Sequence, residues 1–233
     1  MKRVLLITCE HASPKIPKNL EPLFKGSLAI LKTHQGYDIG AESCFEQIIK
    51  KVPCQSIKGE WSRLVVDLNR SLHHPKLFSA FTKELSNKQK EDVIQQYYHP
   101  HRKKIQQLIN PHPKKGTQVV HLAIHSFTPI LHGQKREADI GLLYDPSRRA
   151  EKDFSKSLKH FLQEKTDYRI RMNYPYKGTS DGLTTYLRSV YKNRHYLGIE
   201  IELNQKHLLN KKNINAMMNP LIQFLLALSN SQK

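Results

Sequence analysis

Apolar positions in this chain fall into short, separated runs rather than one continuous block, and each run has a readable period. Val4-Leu5-Leu6-Ile7-Thr8 and Val119-Val120-His121-Leu122-Ala123-Ile124 are continuous, the pattern of strands buried on both faces. Ile140–Tyr144 and Tyr196–Leu203 read as further strands, Tyr168–Met172 as an edge strand and Arg63–Leu68 as a strand flanked by polar residues. Leu28–Leu31 fits a short helix or strand. Helical spacing follows Asp38 through Ile39, Ala41, Phe45, Ile48 and Ile49, and places Asp38 at or near an N-cap. The pattern predicts two helices over residues 83–110, broken near His99-Pro100, then helices at Arg149–Glu164, Gly182–Val190 and Asn213–Leu228. Strands and helices thus alternate along the whole length. That order predicts an α/β fold of three layers, α/β/α, with a mainly parallel mixed sheet covered on both faces. No repeat, low-complexity tract or linker divides the chain, so residues 1–233 are expected to form a single domain.

Composition changes this picture only at the margins. Thirty-eight Lys and Arg against 20 Asp and Glu give a formal charge of +18, which can mark nucleic-acid binding. The basic residues are scattered, however, through Lys114-Lys115, Arg148-Arg149, Lys156 to Lys159 and Lys206 to Lys212, with no nucleic-acid motif beside them. A solvated basic surface is the expectation, and nucleic acid an unfavoured partner. No run approaches the roughly 20 apolar residues of a membrane span. The N-terminal apolar run is too short for a signal peptide, and three cysteines without CxxC spacing argue against a disulfide framework. The cytoplasm is the expected location.

Two of the buried runs lead into histidines, in Cys9-Glu10-His11-Ala12-Ser13 and His125-Ser126-Phe127. Ligands of open α/β sheets sit outside the carboxyl ends of the strands, so His11 and His125 are expected to form halves of one site. Catalytic zinc takes three protein ligands, and a carboxylate would complete the set. Asp38, in the glycine-bearing turn Gly36-Tyr37-Asp38-Ile39-Gly40, is the choice, with Glu10 the alternative ligand and a plain N-cap the structural reading. His99-Pro100-His101 is a competing chelate, although it lies between helical segments. GxGxxG, Walker A, GxSxG and HExxH signatures are absent.

Three further segments bear polar chemistry. In a strand, Arg63, Val65, Asp67 and Asn69 would share a face. Asp67 would then pair with Arg63 or Arg70, or one of these arginines would grip a substrate carboxylate. Glu200 and Glu202 alternate with apolar residues in Gly198-Ile199-Glu200-Ile201-Glu202. They fit a solvent-facing edge, or a general base for an activated water, with Glu200 preferred for that role. The loop Asn173–Gly182 is either an ordinary turn or a flap facing the substrate.

Taken in order, Cys9-Glu10-His11-Ala12-Ser13, Asp38-Ile39-Gly40-Ala41, Arg63 with Asp67-Leu68-Asn69-Arg70, Tyr98 to Arg102, His125-Ser126-Phe127, Asn173 to Tyr176 and Gly198-Ile199-Glu200-Ile201 resemble the N-formylglutamate amidohydrolase family. The resemblance covers roughly residues 4–205. It implies a phosphorylase/hydrolase-like fold related to zinc carboxypeptidases, with Zn2+ held by His11, Asp38 and His125. It also implies Glu200 as base. Arg63, Asn69 and Arg70 are expected to face the substrate, the arginines orienting its carboxylate or one of them stabilising the oxyanion. The implied activity is hydrolysis of a small N-acyl amino acid of the N-formylglutamate type. A peptidase or cell-wall amidase on the same scaffold, and a basic non-enzymatic nucleic-acid binder, are the alternatives. A carboxylate at Glu202, where many relatives are expected to have a basic residue, would repel an acidic ligand.

Overall fold

Continuous apolar runs become the central strands of one sheet. The computed structural model describes residues 2–230. Its strands are β1 (Arg3–Cys9), β2 (Gln55–Lys58), β3 (Gln118–Phe127), β4 (Ile130–Leu131), β5 (Gln134–Lys135), β6 (Ile140–Leu143), β7 (Ile170–Met172) and β8 (Tyr196–Asn204). Its helices are α1 (Ala41–Lys51), α2 (Asn87–Val93), α3 (His99–Ile109), α4 (Pro111–Lys114), α5 (Arg149–Lys165), α6 (Leu183–Val190) and α7 (Lys211–Asn230). Six strands form the main sheet in the order β2-β1-β3-β8-β6-β7, while β4 and β5 make a separate small hairpin. Strands β2, β1, β3 and β8 run parallel; β6 pairs antiparallel with β8, and β7 parallel with β6. The sheet is therefore mixed and mostly parallel, as expected of the α/β pattern.

Side-chain alternation sorts the strands onto two helical layers. Leu5, Ile7 and Cys9 of β1, Val120, Leu122 and Ile124 of β3, and Leu197, Ile199, Ile201 and Leu203 of β8 pack against residues of α1, α5 and α7. The opposite parity, with Leu6, Val119 and Tyr196, meets Ile105 and Ile109 of α3 and Leu183 and Leu187 of α6. His121, Ala123 and His125, and Gly198, Glu200 and Glu202, share that second parity. Polar residues of β3 and β8 thus project on the α3 and α6 side, and they gather towards the carboxyl ends.

Four expectations need correction. Arg63–Leu68 is not a strand: it is a succession of turns, with Val65 N donating to Ser62 O and Arg70 N to Asp67 O. Val65, Val66 and Leu68 are all buried in a third apolar cluster with Leu20, Leu77, Val93 and Tyr98, which a two-faced strand would not permit. The second histidine does not follow its strand but lies inside it, because pairing with β8 extends β3 to Phe127, opposite Asn204. Residues 87–109 are helical without a break: the π-helical turn Ile94–Tyr98 runs directly into α3, the His99 N–H bonding Ile94 O, and Pro100 is accommodated beside that local departure from the regular ladder. Finally, Asp38 does not cap α1. Gly40 precedes the helix at φ +81°, and a side chain there would strike Leu208, 2.6 Å from where its Cβ would lie.

Candidate metal centre and active site

A backbone hydrogen bond brings the first two candidate ligands together: Asp38 N donates to His11 O at 3.0 Å. The chain leaving β1 and the turn before α1 therefore run side by side. Asp38 then turns its carboxylate across the sheet edge, where Oδ2 lies 2.8 Å from His125 Nδ1 and accepts from Ser126 N at 3.3 Å. His11 Nδ1 is 3.5 Å from the same oxygen. One donor atom from each of His11, Asp38 and His125 falls within a 4.8 Å cluster, and all three residues are buried. Among the described residues this is the one such group of three or more His, Cys, Asp or Glu. His99 and His101 take no part in it. His101 instead faces Glu10, with Nε2 3.9 Å from Oε1.

A carboxylate faces the far nitrogen of each imidazole, by a hydrogen bond at His11 and an ion-pair contact at His125. His11 Nε2 is 2.7 Å from Asp67 Oδ1, and His125 Nε2 is 3.1 Å from Glu10 Oε2. This is the outer arrangement that fixes ring orientation in histidine metal sites. It leaves His11 Nδ1 buried without a hydrogen-bond partner, aimed at the cluster. Glu10 is thus placed behind His125, and Asp38 in front of it. The donor set of two imidazoles and one carboxylate, with an orphaned nitrogen at its centre, fits a zinc ion with room for water.

Charge is concentrated here. Burial disfavours the charged form of His125, but its pairing with the acceptor carboxylates of Asp38 and Glu10 outweighs this and holds its pKa well above the usual imidazole value. Burial likewise opposes ionisation of Asp38, while His11 and His125 pull its pKa well below the carboxylate range. Glu10 is held low against burial by His101 and His125. Asp67 is held low against burial by Arg63 and His11. Arg63 donates to Asp67 Oδ2 at 2.7 Å and lies 3.5 Å from Asp38 Oδ1, so the Arg63–Asp67 pair expected from sequence is present.

A cavity of about 210 Å³ opens in front of this cluster. It is below the roughly 300 Å³ of a site for drug-sized ligands. His11, Asp38 and His125 form its floor; Arg63, Asn69 and Arg70 enter from the loop after β2, and Glu200 and Glu202 from β8. The residues preferred from the sequence for metal, base and substrate roles therefore line one pocket, whereas the alternatives Glu10, His99 and His101, and Asp67, do not line it. Asn69 Oδ1 accepts from Leu183 N at 2.7 Å, and Arg70 donates to Asp181 O at 2.8 Å. Thr184 Oγ1 donates to Glu200 Oε1 at 2.5 Å. Glu202 has no such partner; burial, aided by the Asp38 and Glu200 charges and opposed by His125 and His11, pushes its pKa up to about 8.

A family model for N-formylglutamate amidohydrolase matches residues 3–209. The chain belongs to the N-formylglutamate amidohydrolase family. Its members' chemistry makes this protein an amide hydrolase, and the basic non-enzymatic reading is set aside. Among solved structures, a gene product of Agrobacterium tumefaciens is 27% identical, with a TM-score of 0.83 over 97% of this chain and 90% of that one. N-formylglutamate amidohydrolase from Ralstonia eutropha JMP134 shares the fold at a TM-score of 0.71, with 17% identity over 99% of this chain and 94% of that one. A search of curated proteins finds no match.

Several residues of this amidohydrolase pocket escaped the sequence reading. Thr184 is an ordinary residue in the first turn of a helix, and nothing local ties it to Glu200. Ser126, Tyr176, Lys177, Ser180 and Asp181 complete the lining; only the glycine- and aromatic-rich composition of Asn173–Gly182 hinted at a flap. Buried Arg188 holds that loop to the sheet by donating to Gly178 O and to Gly198 O, while its Nε meets both oxygens of Glu151 at 3.1 Å. Among the described residues, no helix is long and apolar enough to cross a membrane.

Proposed function

We propose that the chain, acting as one domain, is a zinc-dependent amidohydrolase that cleaves the amide bond of a small N-acyl amino acid of the N-formylglutamate type. One observation carries the reading: two carboxylate-backed imidazoles and Asp38 converge on the floor of a cavity whose walls hold both a carboxylate base and arginines. His11, Asp38 and His125 would hold the metal. Zinc bound there would supply Lewis acidity towards the amide carbonyl and acidify the attacking water.

The remaining chemistry belongs to the side chains. Glu200, its rotamer held by the Thr184 hydroxyl, takes a proton from the attacking water and delivers it to the departing nitrogen. The water oxygen bonds to the acyl carbon, the C–N bond breaks, and the amine leaves with that proton. Arg70, which lines the cavity and is steadied by Asp181 O, attracts the carboxylate of the amino-acid moiety, with Arg63 on the same wall. Asn69, whose amide oxygen is taken by Leu183 N, keeps its amide nitrogen for the substrate. The cavity volume suits a single acylated amino acid better than a peptide or a glycan strand. Three free cysteines, Cys9, Cys44 and Cys54, suit a reducing compartment, and we place the protein in the cytoplasm.

Elemental analysis of the purified protein, followed by amine- and acid-release assays on N-formyl, N-acetyl and N-succinyl amino acids, tests the reading. Stoichiometric zinc and release from at least one series are expected. A protein that takes up no divalent metal, or a metal-loaded protein that releases nothing from any series, would refute it.

A further inference from the structure

Arg102 of α3 carries a buried charge that no carboxylate answers. The residue is 5% exposed. Its Nη2 donates to Arg70 O at 2.9 Å, while Nε and Nη1 are buried without hydrogen-bond partners. The rings of Tyr98 and Tyr186 lie 5.0 and 5.1 Å from its guanidinium carbon. Among the described residues Arg102 forms no ion pair, unlike buried Arg188, whose Nε meets both oxygens of Glu151. A guanidinium stays ionised at any ordinary pH, and a buried charge without a counter-charge is costly. One carbonyl and two ring faces answer it in part. Two donors remain unsatisfied and call for a partner.

Arg102 lines a second cavity, of about 580 Å³, a size ordinary for small-molecule sites. This cavity shares no lining residue with the one in front of the candidate metal centre. Its walls carry Arg102, Lys103, His73 and His99, and no Asp or Glu. Asp181 and Glu91 accept from the lining residues Ser71 and Gln95, but neither lines the cavity itself. Tyr98 is buried and Tyr186 exposed, so Tyr98 backs the guanidinium and Tyr186 covers it. The Tyr186 hydroxyl is held by one side-chain hydrogen bond, from Gln106 Nε2 at 3.3 Å.

We infer that this cavity binds the phosphate group of a small molecule, which supplies the counter-charge of Arg102. Two permanent cations, Arg102 and Lys103, line the walls, and a phosphate near neutral pH carries nearly two negative charges. A phosphate therefore matches the site better than a singly charged carboxylate. Turning the Tyr186 ring aside admits its oxygens to Nε and Nη1, where charge-assisted hydrogen bonds form. Arg70 stands between the two cavities: its carbonyl accepts from Tyr98 Oη at 2.7 Å and from Arg102, while its side chain lines the other cavity. The phosphate site does not depend on the hydrolase reading.

Calorimetric titration of the metal-loaded protein with inorganic phosphate and with phenyl phosphate, against acetate at matched ionic strength, tests the site. Phosphate can also enter the neighbouring cavity, so the titrations are run on Arg70→Met, which removes that guanidinium and keeps the carbonyl that Arg102 holds. At least one of the two phosphates should bind with a Kd of about 1 mM or tighter, and more tightly than acetate. Tighter binding of phenyl phosphate marks an organic phosphate as the ligand, and tighter binding of inorganic phosphate marks the free ion. Adding Arg102→Met should weaken that binding at least about tenfold. Should this variant not fold, exposed Lys103→Ala takes its place, with binding about two- to fivefold weaker expected. Constants above about 1 mM for both phosphates, acetate binding as tightly as phosphate, or an affinity that the deciding substitution leaves unchanged would overturn the inference.

Discussion

Glu10 Oε2 lies 3.1 Å from His125 Nε2, on the opposite side of the ring from the nitrogen that meets Asp38. Glu10 itself is fully buried and is placed behind His125, a candidate ligand. Removing its charge while keeping its shape should leave the cluster intact but loosen the hold on His125. Glu10→Gln is expected to weaken zinc binding about 10- to 100-fold, measured by competition with a chromophoric chelator. Unchanged affinity would show that His125 does not depend on this carboxylate.

Glu200 lies outside the three-residue cluster but inside the cavity. Its substitution should separate proton transfer from metal binding. Glu200→Gln is expected to lower kcat by about 10²- to 10⁴-fold, with zinc content equal to wild type by elemental analysis. Retained turnover would remove Glu200 from the base role.

The strands that position these groups were legible because both faces of the sheet are covered, so β1 and β3 appear as continuous, largely apolar runs and β8 as apolar positions alternating with Gly198, Glu200 and Glu202. Strand β2, Gln55-Ser56-Ile57-Lys58, was not, since it lies at the sheet edge and only Ile57 packs against an apolar cluster. The antiparallel direction of β6 leaves no trace in hydrophobicity. Arg63–Leu68 misled because Val65 and Val66 match a strand by composition, whereas the segment curls to bring Asp67 against His11. The convergence of His11, Asp38 and His125 could be anticipated from strand ends and a glycine turn. What could not be read was the outer layer: the Glu10–His125, Asp67–His11 and Thr184–Glu200 contacts join residues 16 to 115 positions apart, with no local signal.

Loop Asn173–Gly182 forms one wall of the cavity, and its anchor is ionic. Arg188 is 8% exposed and Glu151 1% exposed; Arg188 also donates to Gly178 O and Gly198 O. Deleting one member strands the other as a buried charge, at a cost of about 3–5 kcal/mol. Arg188→Met should therefore shift the urea midpoint strongly, whereas Glu151→Leu combined with Arg188→Met should recover part of the loss. If the double variant is as unstable as the sum of the two single ones, the pair is not coupled and the loop is held by other contacts.

Acid should unfasten the starts of β6 and β7. Asp139, just before β6, accepts from Arg169 N at 2.8 Å and meets His207 at 2.7 Å and Lys206 at 2.5 Å. It ties the starts of β6 and β7 to the turn after β8. Burial disfavours its charged form, but Lys206, His207 and the Arg169 amide outweigh this and lower its pKa from 3.8 to about 2. A carboxylate whose pKa falls on folding stabilises the native state above its unfolded value, and loses that contribution as pH drops through the folded one. Asp139→Asn should therefore be less stable than wild type at pH 7. The gap should narrow below pH 3.8 and nearly close by about pH 2, read from urea midpoints across that range. A constant gap from pH 7 to the acid limit would mean that Asp139 acts through its shape and hydrogen bonds, and not through its charge.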